Sequence, residues 1–176
     1  MNFLMVNEAL TLRSFSLTDA TVLFDLVYTN KSFLSPWMSW VNQYNNIEDA
    51  RAFIRFCTKN YQEGLGYSFG IWKGDDLLGE VSFTALDKIN DVASIGYWLG
   101  QAYTGQGIVH QSLETLMQFG YNQLGINRME IKVSTANIAS IRVAKSLGFV
   151  QEGVLSSAGK NASGYHDVIL FSKLKI

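Results

Sequence analysis

Cysteine is almost missing from this chain: Cys57 stands alone among 176 residues, so no internal disulfide can form. Histidine is nearly as scarce. His110 and His166 are the whole supply, too few for a zinc site of the His/Cys kind, and no metal is expected. Charge is sparse as well, at 16% of residues, and its signs nearly cancel, with 14 Lys and Arg against 15 Asp and Glu. That balance removes the bulk positive field on which a nucleic-acid binder would rely. No basic-then-apolar leader opens the sequence, and no apolar run is long enough to span a bilayer. These absences predict a cytoplasmic protein with neither a membrane nor a direct nucleic-acid partner, and they leave open whether it is a monomer or a homodimer.

What the chain does have is apolar residues, 48% of the total, and a length that suits one domain over residues 1–176 with a substantial core. Cys57 lies in "EDARAFIRFCTKNY", where apolar residues recur at helical spacing, so it reads as buried filler. "ALTLRSFSL" alternates as a strand does. "LTDATVLFDLVYTN" follows as a helix capped by Thr18 or Asp19, with Leu23, Phe24, Leu26 and Val27 on its apolar face. "NIEDARAFIRFCTKNYQEGLG" is a second amphipathic helix ending near Gly64. "YSFGIWK" and "LLGEVSFTAL" form a hairpin about Gly74-Asp75-Asp76, and "VASIGYWLG" adds a third strand.

Beyond it, a helix from about Ile108 to Leu124 presents Val109, Leu113, Leu116, Met117 and Leu124 on one side, and Gly125 ends it. "RMEIKV" is a strand, "NIASIRVAKSLG" a short capped helix, and "FVQEGVLS" and "YHDVILFSKL" two closing strands. The order predicts an α+β domain with a mixed sheet.

The segment "AYTGQGIVHQSLETLMQF" carries the first functional signal. Two glycines bracket one residue just where a helical pattern begins, which leaves bare backbone amides at a helix N-terminus, a place for an anion. A Gly-x-Gly pair can also be no more than a tight turn. Two phosphate motifs are excluded here. A P-loop needs Gly-Lys-Ser/Thr, whereas Gly107 precedes Ile108-Val109, and the dinucleotide fingerprint needs a glycine where His110 stands.

From "IGYWLGQAYTGQGIVHQ" through "NIASIRVAKSLGFVQEGVL", the sequence resembles the acyl-CoA-binding half of the GCN5-related N-acetyltransferases (GNAT). "LTLRSFSLTDATVLFDLVYTNKSFLSPWMSWV", "EDARAFI", "FGIW", "LLGEVSF" and "GYHDVILFSKL" extend the resemblance to the branch that acetylates ribosomal-protein N-termini. It implies a three-layer fold, a mixed central sheet of about six to seven strands flanked by helices, with acetyl-CoA as cofactor. The family's pyrophosphate pattern, Gln/Arg-x-x-Gly-x-Gly/Ala, falls on Thr104, Gly105, Gln106, Gly107, Ile108 and Val109. Thr104 and Val109 depart from it, but the contacts it supplies are mainly backbone amides.

The resemblance also implies a splayed strand whose backbone at Tyr97, Trp98 and Leu99 holds the pantetheine arm, with an amide near Trp98 or Leu99 facing the developing oxyanion. Asn137 caps the next helix and reaches toward the same arm, while Ser140 stands where the branch places a serine beside the leaving sulfur. The tyrosine that many relatives use there is Ala144. Two acidic positions of relatives are Ser94 and Gly159 in this chain, which leaves Glu80 as the carboxylate expected in the cleft and Asp91 behind it. Imidazole as a class can exchange a proton near neutrality, but His110 and His166 read as surface or supporting groups. Trp37 and Trp40 in "SPWMSW" form either a wall of the acceptor cleft or a packed helix.

Three functions remain open at this point: acetylation of a protein α-amine, acetylation of a small amine, and acyl-CoA binding without turnover. An α-ammonium, at ~8, asks less of a base than lysine at ~10.4.

Overall fold

The computed structural model of the protein describes residues 3–161 and 163–175. Its strands are β1 (Phe3–Met5), β2 (Thr11–Arg13), β3 (Tyr67–Lys73), β4 (Asp76–Asp87), β5 (Val92–Leu99), β6 (Arg128–Ser134), β7 (Val150–Asn161) and β8 (Gly164–Leu174). The helices are α1 (Ala20–Thr29), α2 (Lys31–Leu34), α3 (Ile47–Glu63), α4 (Ile108–Gln123) and α5 (Ile138–Ser146). The strands make one sheet in the order β1-β2-β3-β4-β5-β6-β8-β7. Every neighbouring pair is antiparallel except β5 with β6, so the sheet is mixed.

The sheet holds one strand more than the seven segments legible in the sequence. Phe3–Met5 pairs with Thr11–Arg13, and three residues are too few for an alternating pattern to register. The segment after β2 leaves the sheet because Ser16 opens a 3₁₀ turn, its amide and hydroxyl both donating to the Asp19 carboxylate. Asp19 then precedes α1, and Arg13 grips it from the other side at 2.9 Å.

Local chemistry fixes the other ends. Asn46 Oδ1 accepts from the Glu48 amide while Asp49 accepts from the Asn46 amide, a reciprocal cap for α3. Gly74-Asp75 is the two-residue turn between the paired Lys73 and Asp76.

Alternation along the strands divides the core between two faces. Phe69, Ile71, Val81, Phe83 and Ile95 point toward α4 and α5 and meet Leu113, Leu116, Met129 and Phe171. Trp72, Leu77 and Trp98 point the other way and meet Phe15, Leu23, Val27 and Ile54 from the α1–α3 side. Helices on both faces of a sheet give three layers, each large buried side chain contributing about 1.5–3 kcal/mol. Cys57 belongs to this packing: it is buried, and burial pushes its thiol up to about 12.

One irregularity positions the site. β5 pairs with β6 from Val92↔Arg128 only as far as Ile95↔Ile131. Past that point β5 stays paired with β4 to Leu99↔Gly79, and β6 stays paired with β8 to Ser134↔Val168. A wedge therefore opens in the middle of the sheet.

Candidate active site

At the end of β5 the chain makes a 3₁₀ turn, Gln101–Tyr103, and enters the glycine loop. Gly105 and Gly107 both hold φ of +74°, a left-handed conformation natural to glycine. A Cβ at Gly105 would meet nothing within 4 Å, and one at Gly107 only Gln111 Nε2 at 3.7 Å. Conformation, not crowding, is what glycine serves here, and the space beside it is open. Gly107 precedes α4 with no side chain capping it, so the first amides of a 16-residue helix lack an internal acceptor.

The loop's own side chains are turned back. Thr104 Oγ1 donates to the Gln101 carbonyl at 2.8 Å and Gln106 Nε2 to the Ala102 carbonyl at 3.1 Å. Ile108 is buried and Val109 packs against the core. What this loop can offer a diphosphate is backbone, and its geometry fits one.

β5 supplies the next surface. The Gly100 amide donates to the Leu78 carbonyl at 2.8 Å, and the Trp98 carbonyl lies against Gly79, so both face β4. Backbone groups alternate sides along a strand, which leaves those of Tyr97 and Leu99 on the edge that β6 has abandoned. Of the two amides considered for the oxyanion, Leu99's is the one on the open edge.

Two clefts meet beside this edge. One, of about 460 Å³, lies on the α1–α3 side and is lined by Trp40, Tyr44, Asp49, Ser68, Glu80 and Trp98 among others. The second, of about 420 Å³, fills the wedge and is lined by Trp37, Lys132, Asn137, Ser140, Gly159 and His166 among others. Met38, Trp40, Gly96 and Tyr97 border both. The tip of the β7–β8 hairpin reaches over the wedge, where Asn161 Nδ2 donates to the Pro36 carbonyl at 3.0 Å, next to Trp37.

The sequence profile of the acetyltransferase (GNAT) domain matches residues 9–150. The chain belongs to the GNAT acetyltransferase family. It is 34% identical to the ribosomal-protein-serine acetyltransferase of Escherichia coli (strain K12), over 96% of this chain and 94% of that one. Among solved structures, RimL, a ribosomal α-N-protein acetyltransferase in complex with coenzyme A, superposes with a TM-score of 0.95 at 31% identity, covering 98% of both chains. The self-immunity acetyltransferase MccE, in complex with acetyl-CoA and AMP, gives 0.92 at 33% identity, with 97% of this chain and 94% of that chain covered.

In this GNAT chain the structure brings Tyr97, Asn137 and Ser140 into one cleft. Asn137 Oδ1 accepts from the Ser140 amide at 3.1 Å, capping α5 and fixing the serine at its first turn. The Ser140 hydroxyl lies 2.5 Å from the Tyr97 hydroxyl. Burial pushes that phenol up to about 12, so it keeps its proton at neutral pH. The sequence points only to the backbone of Tyr97, because the partnership of its hydroxyl with a residue 43 positions away has no local signature.

Glu80 and Trp98 face the other cleft. Trp98 Nε1 donates to Glu80 Oε2 at 2.8 Å, and Ser68 and Ser82 also hydrogen-bond the carboxyl. Burial outweighs these bonds and raises the Glu80 pKa above the ordinary carboxylate range. Asp49 is lowered instead, by the amides of Asn45 and Asn46 that it caps.

Asp91 sits exposed in the turn before β5, at the opposite end of that strand from Trp98. His110 pairs with Ser146 and Glu114 and lines neither cleft. Among the described residues no cluster of His, Cys, Asp and Glu could hold a metal, and no helix is long and apolar enough to cross a membrane.

Proposed function

We propose that this GNAT chain transfers an acetyl group from acetyl-CoA to the N-terminal α-amino group of a protein, a ribosomal one in keeping with its relatives. The observation that carries the proposal is the parting of β5 from β6 after Ile95 and Ile131, next to the uncapped amides at 105–109. In this reading those amides hold the coenzyme's diphosphate, and the Tyr97–Leu99 edge pairs with its pantetheine arm as an added strand would. Acetyl-CoA, when bound, would supply the activated thioester.

The Leu99 amide faces the oxygen on which charge develops, and Ser140, backed by the Tyr97 hydroxyl, delivers a proton toward the leaving sulfur. Glu80 serves as a positioning group, since its enclosed carboxyl is committed to Trp98. Trp37 and Trp40, each about two-fifths exposed, give an extended peptide terminus apolar walls to lie against.

Asp49 and Glu80 favour a second reading, a small cationic amine, but weakly. One carboxylate is engaged by the α3 cap and the other is inclined by burial toward its neutral form. Mass spectrometry after incubation with acetyl-CoA tests the choice. Acetylation of peptides but not of polyamines, amino sugars or amino acids is expected. The reverse pattern refutes the peptide acceptor, and tight coenzyme binding without any turnover refutes catalysis.

A further inference from the structure

The β7–β8 hairpin carries a titratable group that nothing above uses. His166 on β8 shares a strand face with Val168, and both line the wedge cleft together with Ser140 and Tyr97. Opposite it in register stands Gly159 on β7. A Cβ at Gly159 would come 2.2 Å from His166 Nε2, 2.7 Å from Cε1 and 2.8 Å from Cδ2, so any other residue would push the ring aside. The loss of a family carboxylate at this position is thus also the space in which an imidazole lies.

The hairpin is shaped around that ring. β7 bulges between Leu155 and Gly159, with Ser157 at φ +52°, and the Ser157 amide donates to Asp167 Oδ1 at 2.8 Å. Nδ1 of His166 is enclosed without a hydrogen-bond partner among the described residues, while Nε2 lies over Gly159, and both residues line the wedge cleft.

The other titratable groups around it are Lys132 on β6, Lys160 on β7 and Tyr97 on β5, with Tyr165 and Asp167 adjacent on β8. Lys160 Nζ lies 5.3 Å from the centre of the Tyr165 ring, and Asp167 is occupied by the bulge. Among the described residues no carboxylate lines this cleft. Lysine and tyrosine both keep their protons at neutral pH, whereas imidazole can take one up.

We infer that His166 Nε2 accepts the proton of the incoming amine, an assignment that rests on the acetyl transfer proposed above. The acceptor ammonium gives one proton to Nε2. The freed lone pair forms the C–N bond at the thioester carbonyl, and the C–S bond breaks. The nitrogen's second surplus proton balances the one that the thiolate takes through Ser140 and Tyr97, and the imidazolium returns its proton to water.

The test is His166→Gln, similar in size and without a titratable ring. Three measurements accompany it: coenzyme A affinity by calorimetry, the pH profile of kcat/KM with an acceptor peptide, and NMR titration of the imidazoles in the wild type. With only His110 and His166 present, the variant assigns the resonances. We expect kcat/KM at pH 7 to fall about 100-fold with coenzyme affinity held within twofold. The acidic limb of the wild-type profile should share its midpoint with the His166 ring and vanish in the variant, leaving the limb set by the peptide amine. An unchanged rate and profile, or a ring midpoint away from the limb, overturns His166 while leaving the acetyltransferase reading standing. A wild-type protein that acetylates no amine overturns both.

Discussion

Backbone builds one end of the split in the sheet and side chains build the other. At the loop, Gly105 and Gly107 set a left-handed path, Thr104 and Gln106 turn back on the loop itself, and the open surface is a row of peptide amides. At the clefts, Trp37, Trp40, Tyr97, Ser140 and His166 arrive from separate elements, and almost nothing is local. A backbone site tolerates side-chain change provided the path is kept. A side-chain site depends on how distant segments happen to meet. The two ends should therefore fail differently when mutated.

Gly107→Glu is the most damaging change expected, because it sets a side chain and a negative charge at the mouth of α4. Coenzyme A affinity should fall about 100-fold or more, roughly 2.7 kcal/mol by calorimetry. Gln106→Ala, one residue away, should change it less than twofold, since that amide is spent on the Ala102 carbonyl. Equal losses in the two variants, or retained affinity in the first, would erase the distinction between the two ends.

Next in size is Ser140→Ala. Its kcat should drop at least about tenfold while coenzyme affinity stays put, the mark of a group that acts on the reaction and not on binding. Tyr97→Phe should cost less, and the double variant less than the product of the two, because both hydroxyls belong to one hydrogen bond. Multiplicative losses would separate them.

This contrast also explains what could be read beforehand. Helix α4, the Gly74-Asp75 turn, the Asn137 cap and the glycine loop are local events, each written in a few adjacent residues, and all are present as expected. The short strand β1 and the 3₁₀ turns escaped because a three-residue element has no period. Tyr97 meeting Ser140, and His166 lying over Gly159, depend on β5 and β6 diverging and on a bulge in β7. No spacing along the chain encodes either meeting. Even Glu80, which lines a cleft, hides its environment from the sequence, since the Trp98 that holds it lies 18 positions away.

Trp40→Ala probes the acceptor side with a smaller effect. The ring stands edge-on to Tyr44 and Trp98, at 5.7 and 6.3 Å between centroids. Its removal should raise the KM for peptide roughly five- to tenfold, as expected for aromatic contacts of about 1–1.5 kcal/mol. The KM for acetyl-CoA should not move. A shift confined to the coenzyme would assign this wall to the opposite end.

Glu80→Gln has the smallest expected effect and the most specific signature. An amide oxygen can still accept from Trp98 Nε1, so the geometry survives while the buried charge is removed. An unfolded glutamate ionises near ~4.3, and burial places the folded value above that. In the interval between the two values the native protein holds a proton that the unfolded chain has released. Stability tied to Glu80 is thus complete below the unfolded value and is lost as pH rises through the folded one. The variant should match the wild type in thermal midpoint below the unfolded value and exceed it once pH has risen through the folded one. A gap that does not vary with pH would mean that the carboxyl is not paying for its burial as a charge. A kcat loss of about 100-fold, with stability unchanged, would return Glu80 to the role of base and take it from His166.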